Sequence, residues 1–355
     1  GGVLTGAKNL TVNSTFNTFG SGNLSITMGT VTVSGNMTLS GTGASSIGGQ
    51  LDVNGNLNVG SGTSLERTGG GGDVFSVAGN LILDGTIIMN ARNLVLNGAG
   101  TISNSGSGNV TGTGQVIINA DKVIPSTTVI TFAPEFVING PYTVTNSGLS
   151  VMLGDLTGTD PASQWTQTAN STLRVAQAVL TTGVLDATAT DNNVTYNGPL
   201  GQIVKATDYY NLSASGGNVT TLSGNMNILG DANITGTLDA NGFNINVKGN
   251  WANSGTFIPG TGTVIFDAPG AQTIDNNNQA FYGLEAAGSG TKTLGGNLIA
   301  NGDLTITSTL DVGADYSIDV GGNWSKTGTF NGGAGMVTFN GGTPQTISGN
   351  SATVF

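Results

Sequence analysis

The most constraining feature of this chain is a long internal repeat. Residues 209–281 and 281–355 align landmark by landmark. Trp251 matches Trp324, Phe257 matches Phe330, Phe266 matches Phe339 and Ile274 matches Ile347, each 73 residues apart. Leu238 with Leu310 and Leu212 with Leu284 are 72 apart, so one loop residue is inserted. A weaker copy precedes them: Tyr196 aligns with Phe266 and Gln202 with Gln272, which takes the repeat back to about residue 185. Self-similarity at a fixed period implies stacked units that bury their apolar faces against one another.

Within the repeat the apolar residues alternate, as in Phe243-x-Ile245-x-Val247 and Leu304-x-Ile306. Alternation at period two is the pattern of strands with one buried face. The runs are three to six residues long and are punctuated by Gly, Asn-Gly or Asp-Gly, which suit tight corners because Gly and Asn tolerate positive φ. Short strands with frequent corners predict an all-β parallel β-helix, or β-solenoid. Its coils are expected to hold about 20–25 residues and to stack at ~4.8 Å. A 73-residue unit then makes about three coils and the chain about fifteen, a rod on the order of 70 Å long. Val, Ile, Leu and Phe are expected to point inward, and Thr, Ser and Asn outward. The alternative is a tandem array of small β-sandwiches, for which the unit is short and the Cys-Trp-Cys core is missing.

The remainder of the chain divides by style. Residues 1–120 carry the triplet Gly-Asn-apolar at Gly22-Asn23-Leu24, Gly35-Asn36-Met37, Gly55-Asn56-Leu57 and Gly79-Asn80-Leu81, and are expected to be solenoid. Residues 121–184 hold Pro125, Pro134, Pro141 and Pro161, with Pro199 just beyond, and Trp165 lies outside the repeat register. Irregular coils or a lateral insertion are expected there, with the one candidate helix of the chain at Pro161–Leu180. Residues 185–355 form the solenoid of ~73-residue repeats, with copies at 208–281 and 282–355.

Composition narrows the function. The 355 residues include 60 Gly, nine Lys plus Arg, twenty Asp plus Glu, and no His or Cys. Without His or Cys there is no Ser-His-Asp or Cys-His catalysis, no disulfide and no Cys- or His-ligated metal. A net charge of −11 with few basic residues argues against binding a phosphate backbone. Only 8% of residues are charged. In-register stacking explains this, because like charges on neighbouring strands repel while Thr and Asn stay neutral.

The motifs NNVTYNG, QIVKATDYYNLSASG, GTLDANGFNINVKGNW, SGTFIPGTGTVIF and AQTI resemble repeats of very large secreted bacterial surface proteins. These are β-helix proteins of the filamentous-haemagglutinin and autotransporter-adhesin kind. The resemblance covers roughly residues 185–355 and implies a right-handed parallel β-helix, a bacterial cell-surface or extracellular location, and a structural or adhesive role. It brings no catalytic residue with it.

Candidate sites were weighed against plain structural roles. Trp251 and Trp324 suit either a glycan-binding aromatic ladder or core aromatics stacked on their own copies, and the repeated flanks favour the core. Asp239, Asp267, Asp275, Asp303, Asp311 and Asp319 are spread among corners, where turn capping is expected rather than polysaccharide chemistry. Gly69-Gly70-Gly71-Gly72-Asp73 departs from the calcium nonapeptide, which needs tandem copies, and reads as a loop. Lys205, Lys248, Lys292 and Lys326 read as solubilising or edge-protecting. No catalytic, cofactor or metal residue is assigned, and no enzyme activity is expected.

The last copy stops in mid-repeat and neither end carries a polar cap, so end-to-end stacking of copies is expected. The expected function is a non-enzymatic extracellular structural protein that self-assembles into a surface filament or layer. The alternative is the stalk of a large adhesin that binds a surface or a polysaccharide. No nucleic acid or membrane span is expected as a partner.

Overall fold

The computed structural model describes residues 3–69, 74–350, 352, 353 and 355. It is all-β, and among the described residues there is no helix. The strands are three to five residues long with few exceptions, and among the described residues the strand pairs are parallel, each strand pairing with its counterpart one turn away. Val31 pairs with Leu51, Leu51 with Phe75 and Phe75 with Leu94. Successive turns there take 20, 24 and 19 residues. This is a β-solenoid of about 17 turns, slightly more than the fifteen expected because the turns are shorter than assumed.

Contacts divide the chain into two units, Gly1–Asp186 and Ala187–Phe355. In the first, each turn contributes a strand to each of three faces, as Ala44–Ile47, Leu51–Val53 and Leu57–Val59 show. The core is a column of inward side chains: Leu51, Val53, Leu57 and Val59 are buried while Asp52 and Asn58 between them are not. Alternation dictates this, since successive side chains of a strand point to opposite faces.

Residues 121–184 belong to the same stack, contrary to the expectation of irregular coils or a lateral insertion. Thr143–Asn146 pairs with Gln164–Gln167, and Leu149–Met152 with Thr172–Val175. The segment 161–180 is therefore strand, not helix. Trp165 and Leu173 point inward at period two. The prolines fall between strands, where no ladder donor is needed.

The second unit carries the sequence repeat, with an unexpected relation between copies. Trp251 lies in Trp251–Asn253 and pairs with Ile274. Trp324 lies in Trp324–Lys326, eleven strands later, and pairs with Ile347. With three faces per turn, eleven strands amount to three and two-thirds turns. Equivalent residues therefore sit on different faces of the solenoid: the sheet of Trp251 holds Ala232–Ile234, and that of Trp324 holds Leu304–Ile306. The expected three-turn unit and the stacking of Trp251 on its own copy are both overturned. The three faces are alike enough that one motif fits any of them.

The Gly-Asn-apolar triplets acquire a physical meaning. Asn36 Oδ1 accepts the backbone N–H of Asn56 at 2.9 Å, Asn56 Oδ1 that of Asn80 at 2.8 Å, and Asn80 Oδ1 that of Thr101 at 2.7 Å. Each Asn thus satisfies a corner donor of the next turn that no strand partner reaches. The preceding glycine lets the corners approach. A Cβ on Gly79 would lie 2.5 Å from Asn56 Oδ1 and 2.7 Å from the Gly55 carbonyl. The second unit repeats the device from Asn211 through Asp231 and Asn250 to Thr273. Gly79→Ala is expected to destabilise the fold by about 1–3 kcal/mol through overpacking against backbone. Asn56→Ala is expected to cost about 1 kcal/mol for one orphaned N–H. Urea unfolding of both variants against the parent checks the order.

Candidate functional site

The residues singled out in the sequence serve the interior or the corners. Trp251 is buried in a box of rings, with Phe257 at 4.9 Å, Phe281 at 5.6 Å and Phe266 at 6.3 Å between centroids. Its Nε1–H donates to Asn276 Oδ1 at 2.9 Å. The next copy rebuilds the box around Trp324 with Phe330 at 5.0 Å, Phe355 at 5.3 Å and Phe339 at 6.1 Å. Neither indole is a surface platform for a sugar.

The aspartates act mainly at corners. Asp239 Oδ1 accepts the Asn241 N–H at 2.7 Å, and its repeat partner Asp311 accepts that of Gly313 at 2.8 Å. Asp275 accepts the N–H of Asn277 at 3.0 Å, and Asp303 that of Asn323 at 2.7 Å. Asp267 Oδ2 accepts from Asn246 Nδ2 at 3.1 Å. Asp319 stands between Ile299 and Thr338 in the ladder. Among the described residues no three such groups converge on a common point that would suit a metal. Gly70–Asp73 lies outside the described residues.

The lysines divide. Lys248 is exposed and Lys205 half-buried. Lys292 and Lys326 are buried, contrary to the expectation of solubilising side chains. Lys292 Nζ donates to the carbonyls of Ala268 at 2.9 Å and Gly290 at 3.0 Å, tying two corners together. Burial lowers its pKa, and the charge of Asp267 opposes the shift.

Sequence reading missed three interior devices. Lys122 is 1% exposed, and its Nζ donates to the carbonyls of Gly79 and Gly98. Arg67 is fully buried with its guanidinium 5.6 Å from the Phe75 ring centroid. Gln272 accepts the Ala268 N–H at 3.0 Å and donates to the carbonyls of Val247 at 2.9 Å and Gly249 at 2.5 Å. Gln345 reproduces this with Gly341, Val320 and Gly322. The repeated AQTI and PQTI phrases were the available signal for this plug. For the cations the signal was phase, since Arg67 lies two residues from Leu65, Lys122 two from Ile124 and Lys292 two from Leu294, all at inward positions.

Two surfaces remain as candidates for recognition. One is the exposed edge of the coil at 329–349 on the second unit, where Met336, Ile347 and the nearby Phe355 lie open; on the first unit Val3, Leu4 and Phe19 are open too. The other is a shallow groove of about 270 Å³ on the second unit, lined by Asn225, Met226, Asn227, Asn244, Asn246 and Ile265. No family model, curated protein or solved structure matches the chain. The β-solenoid architecture itself is consistent with β-helix repeat proteins.

Burial without a counter-charge lowers the Lys122 pKa from 10.5 to about 8. The folded chain therefore holds fewer protons than the unfolded chain between those values, and its stability rises with pH across that window. Tyr196 and Tyr209, buried with pKa values raised by desolvation, act in the opposite sense above their ordinary value of 10. Between pH 8 and about 9.5, Lys122→Met is expected to flatten the rise in the urea midpoint seen in the parent.

Proposed function

We propose that this chain is a non-enzymatic structural protein of the bacterial exterior, a β-solenoid that assembles into a surface filament or layer by stacking coil on coil with further copies. One comparison between the repeat copies carries the reading. Phe281 is 0% and Ile274 2% exposed, where further coils follow. Their equivalents Phe355 and Ile347 are 51% and 53% exposed. The edge at 329–349 thus carries side chains of the kind that pack between coils in the preceding copy. On the first unit Val3, Leu4 and Phe19 are exposed and offer a second apolar face. A head-to-tail contact between unlike faces does not close on itself and propagates as a fibre. The extracellular setting is supported by the absence of Cys, the low charge and the neutral Thr/Asn surface.

Parallel coils hydrogen-bonded turn to turn also suit a second reading, the stalk of a large adhesin, in which coils of the same polypeptide cover the edge. Negative-stain imaging and sedimentation of the purified protein separate the two. Assembly predicts concentration-dependent rods longer than one chain, shortened by Ile347→Lys, which places a charge in the interface. A particle that stays one chain long at every concentration, with or without the lysine, removes the assembly reading and leaves the stalk.

A further inference from the structure

Asn-Gly pairs are chemically weak points in a chain, because a glycine nitrogen is unhindered by any Cβ. That nitrogen loses its proton and attacks the side-chain carbonyl carbon of the asparagine. A C–N bond forms, the amide nitrogen leaves as ammonia, and water opens the resulting succinimide to aspartate or isoaspartate. No enzyme, oxidant or metal takes part. Eight such pairs occur in this sequence, and the fold treats them unequally.

Most are protected in one of two ways. In some the glycine N–H is already committed. Gly55 donates to the Gly35 carbonyl at 3.0 Å and Gly302 to that of Tyr282 at 2.7 Å. Gly198 donates to Gln202 Oε1 at 2.6 Å and Gly341 to Gln345 Oε1 at 2.9 Å. In others the asparagine amide is clamped at both ends. Asn97 Nδ2 donates to Ser76 Oγ and its Oδ1 accepts from Asn119 Nδ2, both at 2.9 Å. Asn139 Nδ2 donates to Asn119 Oδ1 at 2.9 Å and its Oδ1 accepts from Thr159 Oγ1 at 3.2 Å. Asn331 Nδ2 is held, less closely, by the Asp311 carboxylate at 3.4 Å.

Asn241-Gly242 has neither protection. The pair is the tip of a corner in which the Phe243 N–H donates to the Ala240 carbonyl at 2.9 Å, with φ of 52° and 79° at the two central residues, and Asn241 is exposed. The N–H of the second central residue lies outside the closing bond of such a turn. Among the described residues nothing accepts it. The next coil places Gly260 over the Gly242 nitrogen, where a Cβ would lie at 2.4 Å, and offers no acceptor there. Among the described residues Asn241 Oδ1 accepts nothing, and Nδ2 makes only a 3.5 Å contact with the Leu222 carbonyl.

We propose that Asn241 is a site of spontaneous covalent modification. In the folded protein it converts through a succinimide with Gly242 to aspartate and isoaspartate, ahead of the other Asn-Gly pairs. The conversion bears on the stacking of coils. Isoaspartate adds a carbon to the backbone at a corner too tight for a Cβ on Gly260. Either product brings a new carboxylate close to Asp239, whose Oδ1 accepts the Asn241 N–H at 2.7 Å. The equivalent corner of the next copy reads Gly313-Ala314 and has no asparagine to convert. The site lies within one unit and does not depend on end-to-end assembly.

The test is incubation of the intact protein at mildly alkaline pH, which favours loss of the proton from the attacking nitrogen, with peptide mapping by mass spectrometry over time. A parallel sample is held unfolded in urea. In the folded protein, aspartate and isoaspartate are expected to accumulate at Asn241 about tenfold or more faster than at Asn97, Asn139 or Asn301, which react only after local opening. In urea the difference is expected to collapse. Conversion at Asn241 no faster than at those three in the folded protein overturns the proposal. So does a preference for Asn241 that persists undiminished in urea, since local sequence and not the open corner then sets the rate.

Discussion

The structure depends on the hydrogen bond from each turn to the next. Strand ladders supply it along the faces, but a solenoid breaks its ladders at every corner, and the corner N–H groups would be left without partners. Here Asn or Asp side chains reach one turn along and accept them, as in the run Asn36, Asn56, Asn80. This one requirement explains much of the composition. It needs a short side chain with an acceptor oxygen, and a preceding residue without Cβ so that backbones can meet. Gly-Asn is that pair. The abundance of glycine is thus a consequence of close stacking at corners.

A sequence period that is not a whole number of turns follows from the same geometry. Moving a motif by eleven strands places it on another face, yet Trp324 finds an aromatic box like that of Trp251. The box is built from residues within about thirty positions of one another in its own motif, so it travels with the motif and needs no particular face. Near-equivalence of the faces makes the rotation cheap. It also keeps identical bulky residues from stacking directly upon one another.

The buried cations show how far a neutral interior tolerates charge. Lys122 and Lys292 are held by backbone carbonyls at corners, not by carboxylates. Each satisfies acceptors that the broken ladder leaves open, the counterpart of what the asparagines do for donors. Desolvation is what draws both pKa values down, alone at Lys122 and against the charge of Asp267 at Lys292.

Period-two alternation and Gly-Asn punctuation made short strands legible, and the length of the repeat unit with its missing Cys-Trp-Cys core favoured the solenoid over a tandem array of small β-sandwiches. The inward positions Val, Ile, Leu and Phe were legible for the same reason, as were the turn-capping roles of Asp239 and Asp311, whose local bonds span two residues. The tertiary structure alone decided everything that depends on which residues meet across a turn. It placed Lys292 and Lys326 inside, made strands of 164–167 and 172–175, rotated the repeat by a fraction of a turn, and brought the asparagines of two successive coils together with Ile265 of a third. Turn length varies by several residues from coil to coil, and a shift of one reverses the facing of every side chain. Lateral neighbours 20 residues apart are therefore fixed by the register of the stack, which local sequence pattern does not encode.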